Sequence, residues 1–331
     1  MQKNISKIIS LLSFSLFLAS CAGTNNPSIS ESIDSSTSDT PISESSVSES
    51  SSSEESSVSS ETSSSSAEIS SESSSSEASS STSGGDSGDY YASISESLPG
   101  GLNGEFRIAL SNLIKPVSTP TYGGDGTGYT LSRQLQDADE DPNNSENMIM
   151  FYTQASVKKC YSNGAKNWNR EHCWPQNLSN GCWGKDYAGS DMLHIRPTYE
   201  TTNGKRSNLK YGKSNGSMCN YNGYNYGWAD KTYFEPLDVI KGDTARIIMY
   251  TWTAWKEHYG SKLPDVTSVF ESVELMLEWH LNDLPSQIEL NRNDFVQASP
   301  QKNRNPFVDH PAYACKIWGN TNAKTKALCG M

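Results

Sequence analysis

The chain has 331 residues, 34% of them hydrophobic and 19% charged, with a formal net charge of −12. Beyond residue 21 no stretch approaches the roughly 20 apolar residues that a helix needs to span a bilayer. The acidity is local: residues 1–88 hold 12 of the 38 acidic and 2 of the 26 basic residues, which leaves a net of −2 on the remainder, so the overall charge says little about what the rest of the chain binds.

In chain order, residues 1–21 read as an export signal. Lys3 and Lys7 form a basic start, Ile8 to Leu18 an apolar run, and small residues close it. Leu18-Ala19-Ser20-Cys21 resembles the lipobox of bacterial lipoproteins, which implies cleavage before Cys21, a lipid on its sulfur, and anchoring at the extracellular face of the membrane. Residues 22–88 are a Ser/Glu-rich linker without aromatic residues. Such a segment cannot bury enough apolar surface to offset its ordering entropy and is expected to stay disordered. As a random coil it would reach on the order of 45 Å.

Residues 89–331 are long enough for one large domain. Leu102, Phe106, Ala109, Leu110 and Leu113 predict a helix over 101–113, and Met148 to Tyr152 a short strand. Residues 160–230 are loop-rich. Asp243-Thr244 predicts the cap of a helix through Trp255. A second helix is expected over 269–281, and Ser286 should cap a third reaching Gln297. Few strands with several helices point to an α+β fold. Six cysteines beyond Cys21 suggest up to three disulfides in an exported domain. The lack of a C-x-x-C pair argues against structural zinc.

The densest chemistry lies in Asn169-Arg170-Glu171-His172-Cys173-Trp174-Pro175, then Asp191 to Pro197, then Asn203-Gly204-Lys205-Arg206-Ser207-Asn208. Residues 158–213 hold 10 Lys or Arg against 4 Asp or Glu, which suits a polyanionic substrate and equally a solvated Lys-rich region. Phosphodiester hydrolysis needs a base for water, most often His, and a cation to neutralise charge on the phosphoryl oxygens. A hard cation such as Mg²⁺ takes oxygen ligands and keeps several waters. Glu171 and Asn203 offer such oxygens, His172 a base, and Arg196, Lys185 or Arg206 a phosphate partner. One geometric difficulty stands: adjacent side chains on a regular strand face opposite sides, so Glu171 and His172 share a site only where the strand is irregular. By itself the dipeptide fits a solvated Glu beside a packed His. His194 reads as a packed, hydrogen-bonded imidazole, with an orienting role behind the site as the alternative. His258, His280 and His310 read as surface or packing residues. The Tyr and Trp run from Tyr211 to Trp228 reads as structural, with base stacking as the alternative.

Taken together these segments resemble the bacterial endonuclease I family of secreted nucleases. The likeness also takes in Asp139-Glu140-Asp141-Pro142-Asn143-Asn144, Lys241 to Arg246, Glu278-Trp279-His280, Asn291-Arg292-Asn293 and Asn303 to Pro311. The resemblance implies a ββα-metal (His-Me finger) site, with a first strand ending near His172, a second over about 191–196, and a helix starting near Tyr199 that holds Asn203. It further implies Glu171 and Asn203 as ligands of Mg²⁺ (Mn²⁺ and Ca²⁺ being alternatives) and His172 as general base. In-line attack by water would leave 5′-phosphorylated products, and since it uses no ribose 2′-hydroxyl both DNA and RNA are expected substrates. The family's phosphate-holding arginine has no counterpart between His172 and Asp191, where Lys185 is the one cation. Lysine supplies a point charge rather than a bidentate fork. A monomer is expected. The competing readings are a nucleic-acid-binding lipoprotein without activity, and a zinc-dependent hydrolase, which the absence of H-E-x-x-H weakens.

Overall fold

The computed structural model describes residues 90–123, 128–160 and 168–331. The export signal, Cys21 and the linker lie outside the described residues. Helix α1 (Glu105–Ile114) buries Phe106, Leu110 and Ile114 on one face at helical spacing. It begins four residues later than the apolar pattern suggests because Gly104 is extended, and Leu102 packs on the core from outside the helix. Helix α2 (Leu131–Ala138) leads into an antiparallel sheet of β1 (Glu140–Asp141), β2 (Asn144–Ile149) and β3 (Ser156–Lys158) in that order. The strand expected over 148–152 therefore ends early. Gln154, at φ 54°, reverses the chain, and Met150 N–H closes the turn on the Ala155 carbonyl at 2.9 Å.

Strands β4 (Trp168–His172) and β5 (Ile195–Tyr199) form a separate antiparallel pair, with His172 opposite Ile195 and Glu171 opposite Arg196. Helix α3 (Glu200–Arg206) follows without a break. The first strand ends where the sequence placed it, but the second starts four residues later. Asp191 holds a turn there: its Oδ1 accepts Leu193 N–H at 2.9 Å and its carbonyl accepts His194 and Ile195 N–H. Such local side-chain bonds compete with strand pairing. A four-stranded sheet comes next, ordered β6-β9-β8-β7, from β6 (Lys210–Tyr211), β7 (Ser217–Tyr221), β8 (Tyr224–Ala229) and β9 (Tyr233–Glu235). Asn222 and Gly223, at φ 52° and 84°, form the two-residue hairpin turn that favours this dipeptide.

The rest is helical: α4 (Lys241–Tyr259), α5 (Val273–Asn282), α6 (Gln287–Ala298), α7 (Pro306–Asp309), α8 (Ala312–Trp318) and α9 (Ala323–Leu328). The fold is α+β. Every residue of α4 from Gly242 to Trp255 is buried, so this helix forms the axis of a core that runs from Tyr91 to Trp318. Asp243 is not its cap. It lies in the first turn, where a negative charge suits the helix dipole, and accepts Arg246 Nη2 at 3.2 Å. Helix α5 starts at Val273 rather than near 269 because Ser272 caps it, and α6 has a full capping box between Ser286 and Glu289. Among the described residues no helix is long and apolar enough to cross a membrane.

Among the described residues one disulfide forms, Cys315–Cys329, within the expectation of up to three, while Cys173, Cys182 and Cys219 are buried thiols. Their burial makes them small apolar packing groups rather than bridging partners. Arg196 is also internal: 5% exposed, it donates to Asp139 Oδ1 at 2.8 Å, and Arg292 pairs with the other oxygen of the same carboxylate. Arg292 donates as well to the carbonyls of Met192 and Ile195, which pins α6 to the start of β5. One carboxylate thus compensates two buried guanidinium groups. Asp139→Ala should cost about 3–5 kcal/mol, the typical penalty for stranding a buried charge, seen as a lower urea midpoint at unchanged slope. A midpoint equal to wild type would remove Asp139 from this role.

Candidate active site

At the end of β4 the chain bends through Cys173 and Trp174, both fully buried. Two groups lock the bend. Trp174 N–H donates to His194 Nε2 at 3.0 Å, and Arg206, at the end of α3, donates to the carbonyls of His172 at 3.2 Å and Cys173 at 2.7 Å. Since His194 Nε2 accepts, its proton sits on Nδ1 and bonds the Ala188 carbonyl at 2.6 Å. Burial pushes His194 down to about 3, so it is a neutral tie between the bend and the β4–β5 loop.

Glu171 lies beneath the bend, 2% exposed. Its Oε1 accepts the Tyr152 hydroxyl at 2.6 Å and pairs with Arg206 Nη1 at 3.1 Å. Among the described residues no hydrogen bond engages Oε2. Burial raises this carboxyl above the usual range, against the pull of Arg206 and Tyr152. Asn203, on α3, donates its amide nitrogen to Asn169 Oδ1 at 2.7 Å, which leaves its oxygen available. His172 is half-buried, with Gln176 Nε2 at 3.3 Å from its Nε2. Burial pushes the imidazole down to about 4, although the carbonyls of Gly184 and Gly189 favour its charged form. These carbonyls come from the two ends of one doubled-back loop. A Cβ at Gly189 would lie 2.1 Å from the Gly184 oxygen, so only glycine permits the approach.

Arg170, Glu171, His172, Gln176, Asn203 and Arg206 line one cavity of about 370 Å³. It lies at the end of β4, and Glu171 and His172, consecutive in the β4–β5 ladder, both line it. Of the cations expected to hold phosphate, Arg196 does not line the cavity. Arg206 lines it but is 1% exposed and committed to Glu171 and two carbonyls. Lys185 is exposed on the loop, one residue beyond Gly184, whose carbonyl accepts Gln176 Nε2 at 2.8 Å.

Sequence reasoning gave no role to Arg170. It sits two residues before His172, on the same face of β4 by strand alternation, and that signal was available. Its partners among the described residues are neutral: the Tyr122 carbonyl and Ser132 hydroxyl, each at 3.1 Å, and the Tyr122 ring at 4.4 Å from its guanidinium carbon. Its Nε is buried without a hydrogen-bond partner. Tyr152 carried no such signal, because it meets Glu171 only through the fold. The aromatic run is mainly structural: Tyr211 and Tyr226 are buried, and Tyr224 is 44% exposed at the hairpin tip. His280 is buried and faces the Pro311 carbonyl at 2.9 Å.

Two antiparallel strands and a following helix, gathering an imidazole, a carboxylate and an amide around one cavity, define a ββα-type domain. Residues 104–312 match the endonuclease I family, and the chain belongs to that family. It is similar to the "Extracellular ribonuclease" of Bacillus amyloliquefaciens, 33% identical over 196 residues, which cover 56% of this chain and 65% of that protein. It is likewise similar to the "Extracellular ribonuclease" of Bacillus subtilis (strain 168), 34% identical over 194 residues, covering 56% and 66%. The chain thus spans just under two thirds of the length of these relatives.

The buried imidazoles predict a direct measurement. By NMR, His172 should titrate near pH 4 and be neutral at pH 6.5, and a doubly protonated ring at pH 6.5 would contradict its described surroundings.

Proposed function

We propose that the protein is a secreted, lipid-anchored nuclease that hydrolyses phosphodiester bonds of RNA and DNA with a divalent cation. The observation that carries this reading is the single cavity shared by His172, Glu171, Asn203 and Arg170. The relatives' printed names support an extracellular setting and RNA as a substrate, and the lipobox-like Leu18 to Cys21 supports anchoring through Cys21.

The donor set fits a hard cation. Glu171 Oε2 and Asn203 Oδ1 are two side-chain oxygens at the cavity, and Mg²⁺ needs only one or two protein oxygens. Mn²⁺ and Ca²⁺ take the same donors. A closed zinc centre is less well matched, since among the described residues no three His, Cys, Asp or Glu side chains converge. When bound, the cation would neutralise charge on the phosphoryl and leaving oxygens.

The remaining chemistry belongs to the chain. His172 is neutral near pH 7 and takes the proton from a water aligned with the phosphorus. Attack in line with the 3′ oxygen leaves 5′-phosphate ends. Arg170, which lines the cavity, offers its charge to a phosphate oxygen, in place of the interior Arg196. Lys185, exposed beside Gly184, meets a flanking phosphate. Arg206 and Tyr152 hold one oxygen of Glu171 and orient the other. No step uses a ribose 2′-hydroxyl, so both nucleic acids are substrates.

His172→Ala should lower kcat by about 10²–10⁴-fold with the fold intact. Retention of a tenth of wild-type turnover would falsify its role as base. In the free enzyme kcat/KM should fall below about pH 4, where His172 takes a proton, and stay level above it as far as this group is concerned. Chelator should abolish digestion of both supercoiled DNA and RNA, with Mg²⁺ restoring it. Chelator-resistant digestion would remove the metal from the mechanism.

A further inference from the structure

A second cavity, of about 230 Å³, borders the β4–β5 loop at Tyr187. Its walls come from three segments: Lys115 and Val117 after α1, Tyr187 in the loop, and Trp255 and His258 near the end of α4. The Tyr187 and His258 rings lie 5.2 Å apart with their planes at 33°, and Trp255 stands edge-on to both, at 6.2 and 5.8 Å. Tyr187 is 52% exposed and Val117 77%. No carboxylate lines the cavity among the described residues, and Lys115 gives it a positive charge.

Tyr187 is also conformationally constrained. Its φ of 50° lies in the left-handed region that a bulky residue rarely adopts. Strain of this kind persists where the surrounding structure holds it, most often at ligand sites. Here the ring is held half out of the surface beside an open aromatic cleft. At about 230 Å³ the space is smaller than pockets for drug-sized ligands, which run roughly 300–1,000 Å³, and suits one flat heterocycle.

The loop residue that borders the cleft is tied to the candidate base through buried groups. Ala188, next to Tyr187, bonds His194 through its carbonyl, and the His194 ring lies 5.8 Å from that of His172. We propose that the cleft is a nucleobase subsite, which stacks an unpaired base of the same strand whose phosphate lies at His172. It rests on the nuclease reading and deepens it: the enzyme favours single-stranded or locally unpaired substrate, because a paired and stacked base cannot present a face to the exposed Tyr187 ring, which His258 backs. Lys115 supplies a partner for that nucleotide's phosphate.

The test is binding measured by tryptophan fluorescence in chelator, where turnover plays no part, and cleavage measured separately in Mg²⁺. The probes are a short oligothymidylate, the same backbone with abasic sites, and a blunt duplex. The wild-type protein should bind oligothymidylate about 5- to 150-fold more tightly than the abasic strand, the usual value of one stacked base. Tyr187→Ala and, from a different element, His258→Ala should each erase that difference, while Tyr187→Phe retains it. Equal wild-type affinity for the thymidylate and abasic strands would overturn the proposal. So would variants that bind as wild type does, or duplex binding that depends on Tyr187. A protein that discriminates bases but cleaves nothing would sink the nuclease reading alone, and one that cleaves but ignores bases would sink the subsite alone.

Discussion

Arg206 is fully buried at the end of α3, and its guanidinium reaches the carbonyls of His172 and Cys173, the Glu171 carboxylate, and the face of the Tyr211 ring at 4.5 Å. The helix is thereby fixed to the end of β4 at three points. The electrostatic consequence matters as much as the geometry. Burial alone would favour a neutral Glu171, and the adjacent positive charge offsets that tendency. Without Arg206 the cavity would lose its anionic oxygen as well as the bend that brings His172 beside it.

Around this pair the interior is organised by neutral donors. Asp191, fully buried, accepts from the Tyr250 hydroxyl at 2.7 Å, Trp255 Nε1 at 2.9 Å and Gln301 Nε2 at 2.7 Å, and burial holds it above the ordinary carboxylate range. Its backbone forms the turn that precedes β5, so α4 and the Gln301 segment set where that strand begins. His194 works in the same way from the other side. Arg170 and Arg206 line the cavity, and the Nε of each is buried without a hydrogen-bond partner.

Much of this was legible in the sequence. Ser286 marked the start of α6, and the family likeness placed the end of β4 at His172. The grouping of Glu171, His172 and Asn203 was legible only through the family likeness, since spacing alone set the first two on opposite faces of a strand. The cations were misread for a physical reason. Arg196 looks available in sequence, but its partner Asp139 lies 57 residues upstream and meets it only in the folded core. The start of β5 was misplaced because an Asp side chain, invisible to hydrophobic periodicity, diverts the backbone into a turn. The cysteine count suggested bridges, yet Cys173, Cys182 and Cys219 are packed into the interior, where distance rather than parity decides pairing.

The loop between β4 and β5 divides its tolerance unevenly. Gly184 and Gly189 touch backbone to backbone and their carbonyls face the imidazole, so neither end can drift without disturbing the base. Between them Lys185, Asp186 and Tyr187 are exposed, while Ala188 is buried and bonds His194. The three exposed side chains do not line the cavity that holds Glu171 and His172. A lineage built on this scaffold can therefore diversify which strands it grips while inheriting its hydrolytic apparatus unaltered.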